Sequence, residues 1–205
     1  MLHNIYEETL RLEGLKAYFN SLSPLSSGEF ASFSSGLRLS RFKKHETFTT
    51  VGDIHDRVGF VAEGVFKVYY STSEGRSIIR NFCIEGSPIG SFATILTKQP
   101  AHVTIEALED SIIFETSFEH LASYFERGIA WQKLGRRIAE LHYISREKRE
   151  FQLLSLDASE RYEAFKIDFP GLEDRVNQSD IASFLGVDPA TLSRIRRKKF
   201  SKSSD

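Results

Sequence analysis

Residues 178–196 read QSDIASFLGVDPATLSRIR. Counted from Gln178, the apolar residues Ile181, Leu185, Val187, Leu192 and Ile195 fall at positions 4, 8, 10, 15 and 18. This spacing packs two short helices across a tight turn. Ala182 is small enough to let the second helix approach. Gly186 supplies the positive φ that such a turn needs. Asp188 suits the N-cap of the second helix and Pro189 its first turn. The stretch predicts a helix-turn-helix.

From Pro189 to Lys202 the chain carries six basic residues and no acidic one. A charge run alone is usually a solvated face. Attached to this motif, it predicts an interface for double-stranded DNA. Thr191, Ser193 and Arg194 fall on the exposed side near the start of the second helix, the end that enters a major groove. Gln178 and Ser179 open the first helix and join the same interface. Arg196, Arg197, Lys198, Lys199 and Lys202 suit phosphate contacts. Arg194 is the expected base reader, because arginine pairs bidentately with guanine.

Upstream the pattern changes twice. Leu12, Leu15, Tyr18 and Phe19 recur at helical spacing, and Ser26-x-x-Glu29 fits a capping box before Phe30 and Phe33. From Leu37 to Glu115 short apolar runs alternate with turn signals at Gly52-Asp53, Glu63-Gly64, Glu74-Gly75 and Glu85-Gly86. Such spacing argues for a β-sandwich or jelly roll. After a short helix and Gly128, one long helix runs to about Leu154. Its residues Trp131, Leu134, Ile138 and Leu141 are spaced 3, 4 and 3, an a/d stripe read as a dimer seam. Asp157 and Glu160 cap a further helix, which Pro170-Gly171 ends.

The expected fold class is α+β. Residues 1–116 form an effector-sensing jelly-roll (double-stranded β-helix) domain with N-terminal helices. Residues 117–154 form a helical connector with the dimerisation helix, and 155–205 the helix-turn-helix domain. The 205 residues suffice for one large or two small domains. The formal net charge of −1 says nothing of nucleic acid by itself. Cys83, the only cysteine, sits in the apolar run NFCI and reads as a buried structural residue. The N-terminus carries acidic residues and no apolar leader, and no run approaches the ~18 apolar residues of a membrane span. A cytoplasmic protein without a membrane contact is expected.

With these parts in order, the chain resembles the Crp/Fnr family of bacterial transcription regulators. The resemblance rests on Gly52-Asp53, on FVAEGVFKVY (60–69), Gly75 and IEALED (105–110), then on ASERYEAF (158–165) and IASFLGVDPATLSRIRRK (181–198). It implies a homodimer on a two-fold-related DNA site and an effector in each β-roll; RNA polymerase is a candidate partner of the roll. A haem-sensing member would need an axial ligand such as His55, His102 or Cys83, none of which the sequence sets apart.

Two departures from the family pattern stand out. In nucleotide-binding members the effector cassette opens with Gly-Glu and closes with an Arg beside a small residue. Here Gly90 is followed by Ser91, and the Arg position falls on Ala101, with His102 next to it. Lys98 is the only charged side chain between Gly90 and Thr104. A charge-assisted hydrogen bond is worth roughly 1.5–3 kcal/mol, so the missing Arg alone costs on the order of ten- to a hundred-fold in affinity. Usual cyclic AMP binding is therefore not expected. Another small-molecule effector would find Arg80, Gly90, Ser91, Phe92, Lys98, His102 and Thr104 as candidate contacts. A cyclic AMP- or cyclic GMP-responsive regulator is the alternative. In the recognition helix, Pro189 and Ala190 replace an Arg and a Glu of well-studied members, so the family's operator is not carried over to this chain.

Other function classes fit less well. Metal-dependent β-roll enzymes need several His and a carboxylate converging in the roll. The segment 52–64 holds one histidine, His55, and the remaining histidines show no ligand spacing. No catalytic residues, metal ligands or cofactor are expected. A ligand-free protein-interaction roll is the remaining different reading.

Overall fold

The computed structural model describes residues 2–202, with side chains described over 6–198. The chain divides into two compact units, 1–68 with 82–142 and 69–81 with 143–205. Among the described residues no helix is long and apolar enough to cross a membrane.

The first unit opens with α1 (Leu2–Leu22) and α2 (Ser27–Ser34). The Ser26–Glu29 capping box forms as the sequence predicts. Eight strands follow: β1 (Arg38–Phe42), β2 (Thr47–Thr49), β3 (Arg57–Glu63), β4 (Phe66–Ser71), β5 (Ser77–Cys83), β6 (Pro88–Ile89), β7 (Thr104–Ala107) and β8 (Ser111–Ser117). They make two four-stranded sheets, ordered β1-β8-β3-β6 and β2-β7-β4-β5, as in a jelly roll. Between β6 and β7 lies α3 (Phe92–Thr97), and β8 leads into α4 (Phe118–Phe125) and α5 (Ile129–Ser155).

Strand alternation decides which core each side chain joins. Val61 and Ile113 pair across β3 and β8 and face the interior with Phe48, Phe66 and Ile105. Phe60 and Phe114, one residue along, pair on the opposite face. There they meet Phe19 and Phe33 of the first two helices and Trp131 and Leu134 of α5. Phe19 sits 5.1 Å from Phe60, and Tyr124 4.7 Å from Trp131, centroid to centroid. The turn at Gly64 cannot take a side chain: φ is +103°, and a Cβ would lie 2.1 Å from Ser111 Oγ.

In the second unit, Asp157 caps α6 (Ala158–Asp168) and the capping box with Glu160 is complete. Asn177 caps α7 (Gln178–Leu185), accepting from the Asp180 amide at 2.7 Å. Gly186 ends α7 in the left-handed region at φ +68°, and α8 (Pro189–Lys202) follows. Ile181, Ala182, Leu185, Leu192 and Ile195 are buried. The tip of the β4–β5 hairpin belongs to this unit. The Ser183 hydroxyl of α7 accepts from the Ile79 amide at 3.1 Å and donates to the Ser77 carbonyl at 2.9 Å.

Candidate functional site

The α7–α8 pair is held at the C-terminus of α7 by two arginines. Arg149 of α5 donates to the Phe184 carbonyl, and its guanidinium carbon lies 3.8 Å from the Phe184 ring centroid. Arg161 of α6 donates through Nε to the Leu185 carbonyl at 2.8 Å and through Nη1 to the Leu156 carbonyl at 2.6 Å. These bonds satisfy carbonyls that a helix end leaves free. Burial, then the nearby Arg161, lowers the Arg149 pKa to about 10.

The start of α8 is ordered side chain by side chain. The Thr191 amide donates to Asp188 Oδ1 at 2.7 Å, and the Thr191 hydroxyl to Asp188 Oδ2 at 2.8 Å. Arg194 Nη2 donates to Thr191 Oγ1 at 2.8 Å. Arg197 reaches Ser193 Oγ at 3.4 Å, and Arg197 and Lys198 are exposed. Gln178 and Ser179 are exposed at the start of α7, where the Ser179 hydroxyl donates to Asn177 Oδ1 at 2.6 Å. Arg196 differs from Arg197 and Lys198 in its surroundings. It is only partly exposed and lies 3.8 Å from Glu173, which also accepts from the Tyr162 hydroxyl. Burial, with Glu173, pushes the Tyr162 pKa up to about 12. The side chains of Lys199 and Lys202 lie outside those described.

In the first unit, Gly90, Ser91 and Phe92 come together where β6 meets α3. A Cβ on Gly90 would lie 3.3 Å from the Arg57 carbonyl, so strand and loop approach closely there. The Ser91 hydroxyl shares a 2.8 Å bond with Thr94 instead of capping the helix. Lys98 is the left-handed C-cap of α3 and is exposed, as is His102. Thr104 accepts from the Val51 amide at 3.3 Å. Arg80 belongs to the second unit, where Arg146 titrates below its usual range through burial and then through Arg80's charge.

The polar group inside the roll is one that the sequence reading passed over. Glu115 of β8 is almost fully buried. Its Oε1 accepts from Arg38 and from Ser40 at 2.6 Å, and its Oε2 lies 3.8 Å from Arg57 Nη1. Arg57 also donates to the Phe48 carbonyl at 2.6 Å and sits over the Phe48 ring. The available signal was alternation: Arg57 and Glu115 share the inward phase of Val61 and Ile113. Separately, a cleft of about 470 Å³ opens between α1 and β3, lined by Leu10, Arg11, Leu15, Phe60, Glu85 and Phe114 among others. Its volume is in the small-molecule range, but none of the expected effector contacts lines it. Among the described residues no three His, Cys, Asp or Glu are grouped to hold a metal ion.

Burial removes two of the four expected seam residues. Trp131 and Leu134 are fully buried in the first unit's own core, and Ile138 packs against it. A residue already covered within its own chain cannot be the seam of a second contact. The large apolar α5 residues exposed in the second unit are Tyr143, Ile144, Phe151, Leu153 and Leu154. Leu141 is 37% exposed.

Residues 39–127 match the family model described as cyclic nucleotide-binding domain. Sequence comparison with curated proteins gives no match. Among solved structures, FixK2 from Bradyrhizobium japonicum superposes with a TM-score of 0.71 at 20% identity, over 82% of this chain and 86% of that one. CLP from Xanthomonas campestris, a c-di-GMP-responsive global regulator, gives 0.67 at 14% identity, over 87% and 93%. A structure from Eubacterium rectale, described as a regulator of the crp/fnr family, gives 0.64 at 16% identity, over 87% and 85%. The chain has the fold of the Crp/Fnr transcription regulators. The position that the family resemblance expects for the cassette arginine is Ala101. It is buried, and its backbone is locked on both sides: the Gly52 amide donates to its carbonyl and its own amide to the Asp53 carbonyl, each at 2.8 Å.

Proposed function

We propose that the protein is a homodimeric, sequence-specific DNA-binding transcription regulator whose β-roll does not bind cyclic AMP in the usual way. The observation that carries this reading is the start of α8. Thr191, Ser193 and Arg194 stand on a helix whose other face is fixed in the core by Leu192 and Ile195. A helix anchored along one face, with polar and basic side chains at its start, suits insertion into a major groove. Arg197 and Lys198, exposed further along, suit the phosphates. A cytoplasmic location and an encounter with RNA polymerase at promoters go with this reading.

Selection from a randomised duplex pool, followed by anisotropy titration, tests it. The full-length protein should enrich a two-fold-related sequence. Arg194→Ala should weaken binding to that sequence by roughly 5- to 100-fold and leave binding to unselected duplex nearly unchanged. Equal loss on both duplexes would reject Arg194 as the base reader.

A further inference from the structure

We propose that Asp188, acting through Thr191, is the positioning residue for Arg194; the proposal rests on the DNA-binding reading of α8. An aspartate N-cap needs only an amide to satisfy. Asp188 does more: one oxygen takes the Thr191 amide and the other its hydroxyl, at 2.7 and 2.8 Å. Both bonds hold the Asp188 carboxyl below the usual carboxylate range.

The consequence lies in proton direction. A threonine hydroxyl has one hydrogen and two lone pairs. With the hydrogen given to Asp188, Thr191 Oγ1 has only lone pairs left for its next partner, which must be a donor. Arg194 Nη2 is that donor, at 2.8 Å. The chain Arg194 to Thr191 to Asp188 therefore runs one way. Nη2 keeps its second hydrogen and Nη1 keeps two, so the end-on fork that matches guanine O6 and N7 stays available. A long exposed arginine otherwise loses rotamer freedom on binding. The relay takes part of that loss before DNA arrives. Arg197 has no equivalent, since its bond to Ser193 is 3.4 Å, near the limit of a hydrogen bond.

The test uses the full-length protein and a duplex pool randomised over roughly 20 base pairs, enough for two half-sites about one helical turn apart. Three variants are compared with the wild type: Thr191→Val, which removes the hydroxyl and keeps the shape, Thr191→Ser, which restores the hydroxyl, and Asp188→Asn, which remains a good N-cap. The wild type should select a guanine at one position of each half-site. Thr191→Val should lose that preference and bind the selected duplex roughly tenfold more weakly, the scale of one base contact. Its affinity for unselected duplex should fall by less than that, because base reading adds little there. Thr191→Ser should retain the guanine. Asp188→Asn should relax the same position without a matching fall in melting temperature. Unchanged guanine preference in Thr191→Val or in Asp188→Asn overturns the relay. A wild type that selects no sequence overturns the DNA-binding reading itself, which is a different result.

Discussion

His55 Nε2 lies 2.9 Å from Thr49 Oγ1, while the ring's other nitrogen, Nδ1, takes the Arg57 amide at 3.2 Å. An amide only donates, so Nδ1 is the acceptor and Nε2 carries the proton given to Thr49. Protonating Nδ1 would break the Arg57 bond and set a positive ring beside a guanidinium. The His55 pKa is accordingly depressed below its usual value, by burial first and then by Arg57.

The sign of the pH dependence follows. The unfolded chain takes up a proton at this residue at higher pH than the folded one. The stability contribution of His55 is thus complete above its ordinary pKa of about 6.5 and is lost as pH falls through the lower folded value. Thermal melting from pH 7.5 to 5 should show a falling limb, and His55→Asn should flatten it. A variant with an unchanged limb would assign the acid sensitivity to other groups.

Arg149 should be irreplaceable by lysine in the second unit. Lysine keeps the charge but loses the planar stack on Phe184 and the geometry of the bond to its carbonyl. A stack and a charge-assisted hydrogen bond together suggest a loss of about 1–3 kcal/mol for Arg149→Lys. Chemical denaturation should show the lower midpoint. The same variant should weaken DNA binding only as far as it unfolds the α7–α8 pair.

What the sequence made legible was local. Ile181, Leu185, Leu192 and Ile195 declared themselves by spacing, because adjacent helices joined by a short turn must pack at fixed offsets. The capping boxes at Ser26 and Asp157 needed only four residues each. Trp131 and Leu134 were legible as an apolar stripe, but a stripe does not say what covers it; here it is the chain's own sheet and N-terminal helices. Arg57 and Glu115 meet only because β3 pairs with β8, a long-range register no local pattern reveals. Arg196 looked like its basic neighbours until Glu173, from the short turn before α7, was placed beside it.

Titration calorimetry with cyclic AMP and cyclic GMP should show no binding at micromolar concentrations. Ser91 spends its hydroxyl on Thr94, Lys98 is the exposed C-cap of α3, and Ala101 has no charge to offer a phosphate. α3 is only six residues long, so its few free amides replace little of a missing guanidinium. Micromolar binding of either nucleotide would show that another group, such as the half-exposed Arg57, neutralises the phosphate.

The last expectation concerns the two parts of α5. Leu134 is fully buried in the first unit, so Leu134→Glu places an unpaired charge in a dry core. Such a change costs several kcal/mol and should unfold the protein instead of giving a folded monomer. Phe151 and Leu154 are 58% and 79% exposed. With Tyr143 and Ile144 they recur at helical spacing on one face, Ile144 to Phe151 being two turns and Tyr143 to Leu154 three. Glutamate at Phe151 and Leu154 loses no core packing, and across a two-fold contact it meets its own copy's charge. The Phe151→Glu, Leu154→Glu double variant should therefore keep its melting temperature and circular dichroism while sedimenting as a monomer. Affinity for a two-fold DNA site should fall strongly, because each half-site is then bound alone. A double variant that still sediments as a dimer would move the interface to another surface.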